Sequence, residues 1–169
     1  KVSAGTFNNA TNVSFTSLSG YKRYRATIQV QTNFSVGFYV TYAQVNGVTA
    51  SSNYISQTMY QNAASAPTYY TNTSTGNFPI SSNTAVALGI NQAVINFQFE
   101  IEDIGGGGSQ NYLTSTWKFV GIGTNNTNCS NTVGGGMTQF NGPITQLDFN
   151  WGYANSTTYG IYLLEGSNS

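Results

Sequence analysis

The chain contains no histidine. A Ser/His/Asp or Cys/His relay therefore cannot be built, and imidazole zinc sites are ruled out on inventory alone. There is one cysteine, Cys129, in the polar run "TNNTNCSN", so no internal disulfide and no paired thiolate site can form. Charge is almost as scarce. Only 6% of the 169 residues are Asp, Glu, Lys or Arg, five of each sign, and the net charge is zero. That leaves no electrostatic footprint for nucleic acid. No apolar run approaches the ~18 residues of a membrane-spanning helix, and proline is limited to three positions.

Aromatic residues, by contrast, are abundant: 12 Tyr, 10 Phe and 2 Trp. Polarity comes from Asn, Thr, Ser, Gln and Gly instead of charge. A chain rich in aromatics with no net charge is the opposite of a disordered composition. Its length suits one domain with a proper core, and its uncharged polar surface fits an extracellular or virion setting. A start at Lys1 rather than Met is expected of a processed product or a fragment.

Apolar residues recur with a period of two. In "AVINFQFEIED", Ile95, Phe97, Phe99 and Ile101 alternate with Asn96, Gln98, Glu100 and Glu102, the pattern of a half-buried strand. Tyr24, Ala26, Ile28 and Val30 form one such row, and Val36, Phe38, Val40 and Tyr42 another. Leu113, Ser115, Trp117 and Phe119 share a face, as do Leu147, Phe149 and Trp151. Tyr159, Ile161 and Leu163 are also in phase, while Ile144 is out of phase, which points to a bulge or strand edge. Asn46-Gly47 is a hairpin dipeptide. "NYISQTMYQ" is readable as a strand or as one or two helical turns, and "AVALGI" as a weak strand. Residues 62–79 and 123–142 read as loops. Eight to ten short strands with turns between them predict an all-β antiparallel sandwich over residues 1–169, with residues 1–12 as an extended arm.

Three of the five acidic residues, Glu100, Glu102 and Asp103, end one strand beside Gly105–Gly108. Glu100 and Glu102 are ~7 Å apart by strand rise. Paired carboxylates can hydrolyse glycosides, and acidic loops can hold a cation. A solvated strand face is the simpler reading, because "EIEDIGGGG" offers no interleaved ligands. The glycines lack the spacing, helix and lysine of a phosphate loop. Arg23 and Arg25 project from one outward face, where charge discourages edge pairing or meets acids of a neighbouring subunit. Seven Asn-x-Ser/Thr sequons (Asn9, Asn12, Asn33, Asn72, Asn125, Asn128, Asn155) become glycosylation sites only in a glycosylating host. Loop aromatics Tyr69, Tyr70, Phe78 and Tyr153 are the candidate sugar-stacking platform.

The order of these pieces resembles a bacteriophage structural domain family of tail fibres and other virion appendages. "NVSFTSLSGYKRYRATIQV" is similar to that family's opening, an aromatic strand and Ser/Gly turn followed by a Y-x-x-Y-R-h-x-h strand. "MTQFNGPITQLDFNWGYANSTTYGIYLLEG" resembles its close, with I-T-x-L-x-F and then a glycine-bounded strand. Leu164-Glu165 departs from the tyrosine common there. "INFQFEIED" and "STWKFVGIGTNN" resemble its central strands. The resemblance implies a jelly-roll-like sandwich in a non-enzymatic virion part, exposed on the virion surface. It also implies assembly with other copies, as a trimer, and with other virion proteins. It carries over no catalytic residue and no cofactor. The expected function is a tail-fibre or receptor-binding domain contacting host surface glycan or protein, without nucleic acid or membrane insertion. The alternative is a decoration protein or extracellular filament subunit joined by strand addition through the N-terminal segment and sandwich edges.

Overall fold

The computed structural model describes residues 2–32, 41–48, 53–62, 66–81, 93–106, 111–122, 129–140, 142–151 and 158–168. The described elements are strands: β1 (Ser3–Asn8), β2 (Asn12–Phe15), β3 (Arg23–Thr32), β4 (Tyr42–Val45), β5 (Tyr54–Asn62), β6 (Thr68–Thr75), β7 (Phe78–Pro79), β8 (Ala93–Gly105), β9 (Asn111–Ile122), β10 (Cys129–Phe140), β11 (Leu147–Asn150) and β12 (Thr158–Ser167). They form an eight-stranded sheet, ordered β1-β12-β3-β8-β9-β10-β5-β6, and a four-stranded sheet, β2-β11-β4-β7. Neighbours are antiparallel throughout. The expected antiparallel sandwich is what the chain adopts. First-with-last pairing, β1 with β12 in one sheet and β2 with β11 in the other, gives it the rolled-up course of a jelly roll.

Twelve described strands replace the expected eight to ten. Residues 62–79 contain β6 and β7, and residues 123–142 contain β10. The stretch expected as an N-terminal arm enters the large sheet as β1. "NYISQTMYQ" is strand β5, not helix. The predicted rows at residues 36–40 and 85–90 lie outside the described residues.

One core joins the two sheets. The predicted rows on β3, β8, β9 and β11 all face it. Aromatic rings dominate its centre: Phe99 stacks on Trp117 at 6.4 Å, and Phe78 meets Tyr54 edge-on at 4.9 Å. The phase on β12 is the reverse of the expectation. Tyr159 and Ile161 are exposed, at 46% and 54%, and Leu164 is buried. The inward position at Gly160 is free of a side chain, because a Cβ there would strike the Gln29 carbonyl of β3 and the Phe7 ring of β1.

Asn46-Gly47 forms a tight turn with φ of 53° and 66°, closed by the Val48 N–H donating to Val45 O at 3.0 Å. It does not close a hairpin, because β4 pairs with β11 and β7 while β5 lies in the other sheet. Ile144 marks no bulge either. β11 pairs in continuous register, and Ile144 is buried in the extended segment before it. Asn46 ties that segment down, Nδ2 donating to Pro143 O at 2.9 Å and Oδ1 accepting from Gln146 N at 3.0 Å.

Candidate binding face

Arg23, Arg25, Glu100 and Glu102 gather on the outer face of the large sheet. Cross-strand register sets Arg25 opposite Glu100 and Arg23 opposite Glu102. Arg25 Nη2 lies 2.7 Å from Glu100 Oε2, and Arg23 Nη2 lies 2.7 Å from Glu102 Oε2. The hydrogen bond to Glu102 is the main reason the Arg23 guanidinium is held above its ordinary pKa. Asp103 accepts from Gly105 N at 2.8 Å and from Asn111 Nδ2 at 3.2 Å. All three carboxylates are therefore engaged within the chain. The arginines do not guard an edge, because β3 lies between β12 and β8. Among the described residues no three His, Cys, Asp or Glu side chains gather as a metal site.

A different surface stands out at the other end of the same face. On β10 the usual phase is inverted. Thr132, Gly134, Gly136 and Thr138 face inward, while Val133 and Met137 face solvent. A Cβ at Gly134 would strike the Trp117 indole, and one at Gly136 would sit 2.7 Å from the Phe78 ring. Glycine at these two positions lets the core aromatics press directly against the backbone. Gly135, between them, points outward and leaves a floor. On β5, Ser56 and Thr58 are buried, while Ile55 and Gln57 are exposed and Met59 is half-buried on that same outer side. Tyr69 of β6 stands opposite Met59 in the register and is 76% exposed.

These residues enclose an open groove of about 680 Å³ over β10, β5 and β6. No lining residue is charged, and both methionines of the chain, Met59 and Met137, lie in it. Thioethers and a tyrosine ring make an adaptable, polarizable surface. Gln57 and Thr71 add hydrogen-bonding groups beside it.

Of the four aromatics predicted to contact a ligand, Tyr69 is placed on this groove. Tyr70 also borders it, but strand alternation turns its half-buried side chain the other way, beside inward-facing Thr58. Phe78 is corrected. It is 0% exposed, at the centre of the aromatic core, because β7 places it over the gap left by Gly136. Tyr153 lies outside the described residues. Ile55, Met59, Val133 and Met137 were not anticipated. Their signal was present: on two strands the apolar residues alternate against glycine, serine and threonine, so the greasy phase is not the core phase.

One carboxylate was overlooked as well. Asp148 of β11 is buried, with both oxygens accepting from Gln146 Nε2 at 3.0 and 2.8 Å. That arrangement leaves neither oxygen without a donor.

No family model matches the chain, and no curated protein matches its sequence. Among solved structures, human GIVD cytosolic phospholipase A2 aligns with a TM-score of 0.21 and 9% identity, over 92% of this chain and 18% of that one. The structure of infectious bursal disease virus Gx strain aligns at 0.17 and 8%, over 98% of this chain and 38% of that one. An aerolysin-like protein of Bombina maxima aligns at 0.12 and 8%. Scores this low carry no argument about fold or function. The chain spans 18% and 38% of the first two.

Proposed function

We propose that the protein is a non-enzymatic virion structural protein, a tail-fibre or receptor-binding domain, whose groove over β10, β5 and β6 contacts host surface glycan. The observation that carries this reading is the groove's chemistry: an exposed Tyr69 ring beside an uncharged floor, with Gln57 and Thr71 alongside. The apolar face of a pyranose stacks on such a ring while amides and hydroxyls bind its edge. A shallow, open site of this kind binds weakly, and repeated copies convert weak binding into attachment. The resemblance of the opening and closing sequences to phage appendage domains, and the jelly-roll-like sandwich, support the virion setting.

The test is a glycan array probed with the chain held in multivalent form on beads. Binding to a defined glycan class is expected, falling at least tenfold in Tyr69→Ala. Tyr69 is largely exposed, so that variant keeps its fold. If the wild-type chain binds no glycan, or if Tyr69→Ala binds as well as wild type, the reading fails.

A further inference from the structure

The outward positions of five neighbouring strands line up in one transverse row. Tyr69 of β6 stands opposite Met59 of β5, Met59 opposite Val133 of β10, and Val133 opposite Lys118 of β9. Gln98 of β8 follows, opposite Lys118. Tyr69, Val133, Lys118 and Gln98 are exposed and Met59 is half-buried. The row leads from the groove into a second hollow of about 390 Å³, bordered by Lys118, Gln98, Arg25 and Glu100, and Val133 belongs to both.

Charge distinguishes the two ends of this row. The Tyr69 end is uncharged. At the other end Lys118 makes no ion pair with any carboxylate among the described residues. Arg25 Nη2 holds one oxygen of Glu100 at 2.7 Å, and Arg23 Nε approaches the other at 3.6 Å. That carboxylate is countered from two sides, so the Lys118 ammonium is the charge the hollow has in excess. Lysine offers a compact point charge with three donors, and the Gln98 amide adds N–H donors one strand away. Together they suit an anionic group. Three strand spacings separate Lys118 from Tyr69, ~14 Å at ~4.8 Å each. One sugar ring does not cover that distance, but a short chain does.

We propose that the ligand is a linear oligosaccharide carrying an anionic group, a carboxylate or a sulfate. One ring stacks on Tyr69, the chain crosses Met59 and Val133, and the anion meets Lys118 and Gln98. This rests on the groove binding glycan, and adds the ligand's charge and its minimum length.

The experiment uses the bead-held full chain and an array in which neutral glycans of one to six units are paired with the same chains bearing uronate, sialate or sulfate. An exposed ion pair is worth up to about fivefold per site. Wild type is expected to favour the anionic member of each pair by about that factor, only in chains longer than one unit. The preference should fade as NaCl rises from about 0.05 to about 0.5 M. Lys118→Gln is expected to bind both members at the neutral level, and Lys118→Arg to keep the preference. Thermal melts check that both variants fold. Equal binding of neutral and anionic members by wild type overturns the proposal and leaves the glycan reading standing. So does a preference that survives in Lys118→Gln, or one as large for a single sugar as for a chain. Absence of all glycan binding overturns both.

Discussion

The side-chain Oδ1 of Asn46 accepts a hydrogen bond from the backbone nitrogen of Thr145 at 2.8 Å, across 99 residues of sequence. The same oxygen serves Gln146 N, while Nδ2 reaches Pro143 O. One side-chain amide thus supplies the acceptor for two backbone N–H groups of the segment before β11 and a donor to one of its carbonyls. Asn46→Ala leaves two backbone N–H groups without their acceptor and is expected to cost about 2 kcal/mol in chemical denaturation. Asn46→Asp keeps the acceptor and loses only the donor to Pro143, so it should cost about half as much. Equal losses in the two variants would show that the acceptor is not what matters.

The three consecutive glycines of β10 should not be equivalent. Gly134→Ala drives a methyl into the Trp117 ring, and overpacking of this kind is expected to cost about 3 kcal/mol. Gly135→Ala points into the groove, where the nearest atom is Ser115 O at 3.3 Å; a cost under about 1 kcal/mol is expected. Urea midpoints of the two variants make the comparison. A Gly135 variant as unstable as the Gly134 variant would reverse the assignment of their faces.

Stability should fall at high pH through Tyr54. Its hydroxyl accepts from Val45 N at 3.0 Å and lies 3.0 Å from Val48 O, to which it donates. Burial pushes the phenol up to about 12, with the Asp148 carboxylate adding to the rise and the Val45 hydrogen bond opposing it. The folded chain thus prefers the neutral phenol. The contribution is complete below an ordinary tyrosine pKa of about 10 and is lost as pH rises from there towards about 12. A two-unit difference corresponds to about 2 to 3 kcal/mol. Denaturation curves across that window should show a loss that is smaller in Tyr54→Phe. A buried Tyr24, raised by the same desolvation, contributes in the same direction.

The Arg25–Glu100 pair should matter little. Its side chains are 54% and 28% exposed, and such pairs are worth at most about 1 kcal/mol and weaken with salt. Glu100→Gln is expected to change stability by less than about 1 kcal/mol and to leave binding unchanged, as measured by melts and by the same glycan array. A loss of binding in Glu100→Gln would return the acidic strand to consideration as a functional site.

Strands whose inward positions are apolar were legible from the sequence, because half-burial writes itself as alternation. β3, β8 and β9 carry Ile28, Phe97 and Phe119 on that phase. β10 and β6 were hidden for the converse reason. Their inward positions hold Thr132, Gly134 and Asn72, chosen to make room for rings supplied by other strands or to sit beneath the sandwich margin. No local pattern reports a partner's ring. The same concealment misplaced Phe78, which sits between turn-forming residues yet faces the gap at Gly136. Tyr69 was accessible to sequence reasoning as an aromatic in a polar stretch, but the methionine-lined floor opposite it depends on a register that only the folded sheet supplies.

The glycine run also makes the sheet optically thin. At Gly134 a single backbone separates solvent from the Trp117 indole, whose buried nitrogen has no hydrogen-bond partner among the described residues. Gly134 and Trp117 line the pocket next to the groove, with Val133 shared by both, so anything that settles there alters the dielectric beside that chromophore. Trp117 is therefore a built-in reporter of occupancy. A shift in its emission, absent from a Trp117→Phe chain that keeps Trp151, would register a ligand without any label.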